Sequence, residues 1–175
     1  RDNSTMAQAC IDIALISFDS KVQVIQDFTP ISQMITPNLE AYGQTKMGEA
    51  LDTAMDMITR RKKAYVASGT PYFRPWLFCI TDGQPTDGYK EAAERLQWME
   101  ENRKLVSYCI GVEGCNYSVM QEIFDPNSIF GLKDCDFVGL FKFVSASITP
   151  VINSKDGTPS VDVDIPSSMF RIPLN

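Results

Sequence analysis

Residues 76–83, WLFCITDG, decide the fold class. Residues 76–80 form a wholly apolar run of strand length, which is typical of a parallel strand buried on both faces of its sheet. The turn residues Thr81, Asp82 and Gly83 end this run, so Asp82 is predicted to lie where a loop leaves the carboxyl end of the strand. Open parallel sheets bind their ligands at that edge. On position alone, an ordinary turn aspartate is the alternative interpretation of Asp82.

Strand patterns continue on either side of this segment. Residues 11–18 and 105–112 are apolar runs that predict two more buried strands. Residues 22–28 alternate apolar and polar side chains, which predicts an edge strand paired with residues 11–18 through a tight turn at Asp19 and Ser20.

Helical periodicity separates these strands. Helices are predicted from Thr45 onward, around residues 89–99 and over residues 137–148, with one or two helical turns at residues 118–124. Thr86 or Asp87 is predicted to cap the second helix, and Thr45 could be an ordinary N-cap of the first. Strands that alternate with helices predict a doubly wound, Rossmann-like α/β fold, with a mostly parallel sheet and one antiparallel edge strand.

Composition excludes several classes of function. The 175-residue chain has a net charge of −6, which argues against nucleic acid and anionic lipid as partners. It has no apolar stretch near the ~20 residues that span a bilayer. Its only basic run, residues 60–63, is interpreted as cations that offset the dipole at the end of a helix.

Five cysteines without paired spacing indicate reduced thiols, so a cytoplasmic protein is expected. The chain has no histidine, which argues against zinc and removes the usual Ser-His and Cys-His nucleophile pairs. The acidic segment 162–164 resembles the paired aspartates of phosphatases, but no buried strand precedes it, so it is interpreted as part of a solvated arm.

Two loops resemble those of von Willebrand factor A (vWA) domains. Residues 42–51, YGQTKMGEAL, are similar to the family's loop that supplies a metal-binding threonine, here Thr45. Residues 80–87, ITDGQPTD, resemble its strand-end loop, whose aspartate is here Asp82. The resemblance extends over about residues 11–148 and is greatest to the solitary bacterial vWA proteins of tellurium-resistance operons.

The resemblance implies a metal-ion-dependent adhesion site. Thr45 and Asp82 would contribute oxygen ligands to Mg²⁺ or Mn²⁺, hard ions that prefer oxygen. One coordination position would stay open for an acidic side chain of a protein partner. The two residues are therefore expected at the same edge of the sheet.

One part of the vWA pattern is absent. The family's first strand ends in an Asp-x-Ser-x-Ser motif, and the similar residues 2–6 follow no apolar strand. The vWA-type domain is therefore assigned to residues 1–149 without its first strand and helix, and residues 150–175 to an extended C-terminal arm. We expect the native protein to contain the missing strand or another chain to supply it, because that strand is central in the family's fold.

The expected function is that of a non-enzymatic protein-interaction module, in bacterial stress or tellurium resistance. Two alternatives stay open. One is a metal-assisted phosphoryl-transfer or hydrolytic enzyme on a similar sheet, although no phosphate-cradling Gly-rich loop accompanies Asp82. The other is a structural domain with a vestigial metal site.

Overall fold

The computed structural model describes residues 11–35, 43–153 and 165–172. The strands in chain order are β1 (Asp12–Phe18), β2 (Val22–Pro30), β3 (Trp76–Thr81), β4 (Val106–Gly111), β5 (Ile129–Leu132) and β6 (Met169–Arg171). The helices between them are α1 (Met47–Ala67), α2 (Lys90–Glu101), α3 (Tyr117–Ile123) and α4 (Phe137–Asn153). The predicted α/β class is confirmed.

The chain divides into two compact units, and each has its own sheet. The first unit comprises residues 1–72 and 85–92, and the second comprises residues 73–84 and 93–175. β1 and β2 form an antiparallel pair, whereas the other four strands form a sheet in the order β3-β4-β5-β6. The sequence predicted one sheet, but within the described ranges no strand pairing joins the hairpin to the four-stranded sheet.

The four-stranded sheet is mixed. β3, β4 and β5 run parallel, with Cys79 opposite Cys109 in the first pair, and β6 runs antiparallel to β5. This arrangement is compatible with a Rossmann-like fold. The antiparallel edge strand of this sheet is therefore β6, which lies in the segment expected to be an extended arm, and not the hairpin strand that was predicted for the role.

One hydrophobic cluster of the second unit joins this sheet to α4. Ile110, Phe130 and Leu132 are buried with Leu140 of α4 and Met169 of β6. Burial of each such side chain contributes about 1.5–3 kcal/mol. The predicted helix over residues 137–148 is confirmed, and the Asp136 carboxylate accepts the N–H of Gly139 at 2.9 Å in the first turn of α4.

The first unit is built on α1 and the hairpin. α1 buries Met47, Leu51 and Met55 among other apolar side chains. The helix continues to Ala67, so the interpretation of the basic run 60–63 as a dipole-offsetting helix end is wrong. Arg60 instead pairs with the exposed Asp27 at 2.6 Å, and Arg61 pairs with the largely buried Asp12 of β1.

Asp12 carries the polar contact between β1 and α1. Its carboxylate accepts hydrogen bonds from the Arg61 guanidinium, with Nε at 3.0 Å, and from the Tyr65 hydroxyl. Burial alone would raise the pKa of Asp12. The hydrogen bonds from Tyr65 and Arg61 and the charge of Arg61 outweigh burial, so the pKa of Asp12 is lowered.

Replacing Asp12 with asparagine is expected to lower the free energy of unfolding by about 2 kcal/mol at pH 7, the size of a hydrogen bond to a charged group. Because the pKa is lowered on folding, this contribution is present above the unfolded-state pKa of about 3.9 and is lost as pH falls through the folded-state value. Urea denaturation from pH 7 to pH 2 should therefore show the two proteins converging in acid. A difference that persists or grows in acid would contradict this account.

Asp27→Asn is the matched control, because it removes a carboxylate from the neighbouring pair with Arg60. Both side chains of that pair are more than half exposed. Exposed pairs contribute about 0–1 kcal/mol, so this variant should scarcely change the unfolding free energy.

No helix in the described ranges combines the length and the apolar character needed to cross a membrane.

Candidate metal site

Asp82 lies immediately after β3, as predicted, and its side chain is exposed. The buried hydroxyl of the preceding Thr81 accepts the N–H of Gly83 at 3.2 Å and so fixes the turn. The Thr81 carbonyl accepts the N–H of Val112 at 3.0 Å, which continues the β3–β4 pairing up to the turn. Within the described residues the Asp82 carboxylate accepts no hydrogen bond, so its oxygens are available to a ligand.

The negative charge of Asp82 acts on the thiol of Cys115, which lies in the loop after β4. Burial raises the pKa of the Cys115 thiol, and the negative charge of Asp82 raises it further. No group of three or more Cys, Asp or Glu side chains suited to a metal ion occurs in the part of the chain that the structure describes. An ion at Asp82 would therefore need hydroxyl, main-chain or water oxygens among its ligands.

Thr45 lies two residues before α1 and is fixed through its main chain. Its N–H donates to the Thr86 hydroxyl at 3.0 Å, and its carbonyl accepts the N–H of Thr86 at 2.9 Å. The Thr45 hydroxyl itself forms no hydrogen bond within the described ranges. This side chain is thus held by its backbone while its oxygen stays free.

Thr45 does not cap α1, contrary to the ordinary N-cap interpretation. The residue at the N-cap position is Lys46, whose side chain has no acceptor and makes no capping hydrogen bond. Asp87 supplies the cap instead: its two carboxylate oxygens accept the N–H groups of Gly48 at 3.1 Å and Glu49 at 2.9 Å. The prediction that Thr86 or Asp87 caps the helix at residues 89–99 is therefore wrong: Asp87 binds the first turn of α1, and Thr86 binds Thr45 just before that helix.

The hairpin turn supports the Thr45 loop as well. The Ser20 hydroxyl accepts the N–H of Gln44 at 3.0 Å, and the Asp19 carbonyl accepts the N–H of Lys46 at 3.1 Å. Gly43 has a φ of +90°, which favours glycine, and a Cβ there would lie 2.5 Å from the Ser20 hydroxyl oxygen. The turn was predictable from the sequence but this contact was not, since no local pattern links residues so distant in the chain.

Thr45 belongs to the first unit and Asp82 to the second. Their presence at one edge of a sheet accordingly stays a prediction. Each residue separately has the property that a ligand for a hard cation needs, a free oxygen on a fixed main chain.

The described cysteines differ in their expected reactivity. Cys79, Cys109, Cys115 and Cys135 carry free thiols, and Cys10 lies outside the described residues, as does the acidic segment 162–164. Burial raises the pKa of Cys79 to about 12 and also raises that of Cys109. Cys135 is exposed.

Iodoacetamide at pH 8 is expected to label Cys135 first, Cys115 more slowly, and Cys79 and Cys109 only after unfolding, because the thiolate is the reactive form. Peptide mass spectrometry of samples quenched over time measures each rate. Rapid labelling of Cys79 or Cys109 in the folded protein would contradict their burial.

No protein-family model matches the chain, and no curated protein matches it.

Proposed function

We propose that this chain is a vWA-type protein-interaction module that binds its partner through Mg²⁺ or Mn²⁺ held by Thr45 and Asp82. The observation that carries the proposal is the free hydroxyl of Thr45. A threonine beside a helix start ordinarily caps the helix, but here Asp87 accepts the first-turn N–H groups at 2.9 and 3.1 Å. The Thr45 oxygen is thereby left available for another ligand.

The chemistry of the two side chains suits this role. A hydroxyl and a single carboxylate are hard oxygen donors, which favour Mg²⁺ or Mn²⁺ over softer ions. One carboxylate leaves a divalent ion under-neutralised, so the ion attracts a glutamate or aspartate of the partner. The proposed partner is consequently a protein that offers an acidic side chain.

The proposed setting is the bacterial cytoplasm, in stress or tellurium resistance. The resemblance of the two loops suggests the pathway, and free thiols suit a reducing compartment. We propose binding without catalysis because the chain lacks the histidine that the usual Ser-His and Cys-His nucleophile pairs need.

Calorimetric titration of the full chain with MgCl₂ and MnCl₂ tests the proposal. Thr45→Ala should weaken binding roughly tenfold, about 1.4 kcal/mol, whereas Thr45→Ser should bind nearly as well because it keeps the hydroxyl. Since Thr45 does not cap α1, neither variant should change the unfolding free energy by more than about 0.5 kcal/mol.

Equal affinity in wild type and Thr45→Ala would exclude Thr45 as a ligand. Absence of Mg²⁺ and Mn²⁺ binding by the wild-type chain would favour a domain with a vestigial site. Hydrolysis of a phosphate ester that depends on the metal and on Asp82 would favour the enzyme.

A further inference from the structure

Two of the first N–H groups of α1 donate to a residue that is distant in the sequence. The first N–H groups of a helix have no partner within the helix and need one from outside its regular ladder. The Met47 N–H donates to the Thr45 carbonyl at 2.9 Å, and the Gly48 and Glu49 N–H groups donate to Asp87. The acceptor that defines where α1 begins is thus 39 residues from Gly48 in the chain.

Thr86, the neighbour of Asp87, fixes the residue that precedes the helix. The hydrogen bonds between Thr45 and Thr86 are reciprocal, at 3.0 Å to the Thr86 hydroxyl and 2.9 Å to the Thr45 carbonyl. Thr86 and Asp87 together therefore fix the main chain from Thr45 to Glu49. We name these two residues the clamp.

The clamp requires a close approach of two backbones. A Cβ on Gly48 would lie 2.8 Å from the Gly88 carbonyl oxygen and 2.9 Å from the Tyr89 Cα. Because residue 48 is glycine and has no Cβ, the two backbones can approach closely enough for the Asp87 carboxylate to reach two N–H groups. The carboxylate is also stabilised there by the positive end of the helix dipole.

We propose that Asp87 is a positioning residue of the metal site: it fixes the helix start and, together with Thr86, thereby places the Thr45 hydroxyl without binding the ion. This inference rests on the proposed function of Thr45. Its physical basis is that a ligand must be held close to its productive geometry by neighbours that are themselves fixed. Loss of such outer contacts typically costs about 10–100-fold in metal affinity.

Asp87→Ala and Thr86→Val test this proposal in the full chain, with Mg²⁺ as the probe. Asp87→Ala removes both acceptors, so Mg²⁺ binding should weaken at least about tenfold. Amide hydrogen exchange at Gly48 and Glu49 should become faster in the same variant. Thr86→Val should weaken Mg²⁺ binding, whereas Thr86→Ser should restore it because the hydroxyl that accepts the Thr45 N–H returns.

Asp12→Asn is the control for a merely structural effect. It removes the negative charge with which β1 contacts α1 at Arg61 and Tyr65, far along the helix from Gly48. It should destabilise the fold without changing Mg²⁺ affinity. If Asp87→Ala weakens Mg²⁺ binding no more than Asp12→Asn does, Asp87 is not a positioning residue.

The failures of the two proposals are distinguishable. Weaker Mg²⁺ binding in Thr45→Ala with normal binding in Asp87→Ala overturns only the positioning role. Unchanged amide exchange at Gly48 and Glu49 in Asp87→Ala also overturns it, whatever the metal does. Absence of Mg²⁺ binding by the wild-type chain overturns both.

Discussion

Asp82→Ala is expected to abolish Mg²⁺-dependent binding of the protein partner while the fold stays intact. The substitution removes the only negatively charged ligand that we assign to the ion. The remaining hydroxyl of Thr45 cannot hold a divalent cation alone. Asp82 is exposed and accepts no hydrogen bond within the described ranges, so the unfolding free energy should change by less than about 0.5 kcal/mol. Calorimetry with MgCl₂ and pull-downs from native lysate, with and without EDTA, measure the two effects.

Glu94→Ala is the matched control, because it removes one negative charge from an exposed side chain of α2 in the same unit. It should retain Mg²⁺ binding and recover the partners that wild type recovers. Recovery of the same partners by wild type, Asp82→Ala and EDTA-treated samples would show that the metal-bridge mechanism is wrong.

Hydrophobic pattern predicted most of the individual elements. The apolar runs identified β1, β3 and β4, and helical spacing identified α1, α2 and α4. β5 was missed because its four residues, which include Gly131, are too few to show a period, although all are buried. β6 was missed because its three residues follow a proline-punctuated segment without a strong pattern.

Pattern does not determine which strands pair. A run of apolar residues shows that a strand is buried, but its neighbour is chosen by contacts across long stretches of chain. The hairpin of β1 and β2 could be predicted because a tight turn joins the two strands. That this hairpin forms a sheet apart from β3 was not predictable from either strand alone.

The candidate site shows the same division between local and distant signals. Asp82 was placed correctly because it directly follows an apolar run, which is a local feature. The cap of α1 was assigned wrongly because capping preferences consider only residues near a helix start in sequence. Asp87 is near one helix start in sequence and hydrogen-bonded to another. In sequence it lies close to α2, whereas its hydrogen bonds are with Gly48 and Glu49 of α1.

Gly48→Ala should therefore be among the most damaging small substitutions in the first unit. In an exposed helix, Gly→Ala stabilises by up to about 1 kcal/mol. Here the new methyl would meet the Gly88 carbonyl oxygen at 2.8 Å and the Tyr89 Cα at 2.9 Å, both backbone atoms that cannot rotate aside. Overpacking costs about 1–3 kcal/mol; against rigid backbone we expect the upper end of that range, and subtracting the helix gain leaves a net loss of about 2 kcal/mol. That loss lowers the melting temperature by roughly 4–8 °C.

Gly88→Ala is the control that distinguishes the steric clash from the mere loss of a glycine. It adds the same methyl group to the other of the two backbone segments that approach each other. A Cβ on Gly88 meets no atom within 4 Å. This variant should melt near the wild-type temperature and keep its Mg²⁺ affinity. Gly48→Ala should lose both stability and Mg²⁺ binding, because the added methyl moves the clamp away from Thr45. Differential scanning calorimetry with and without MgCl₂ gives both readings. Equal melting temperatures for the two variants would mean that Gly48 does not set the distance between Asp87 and the start of α1.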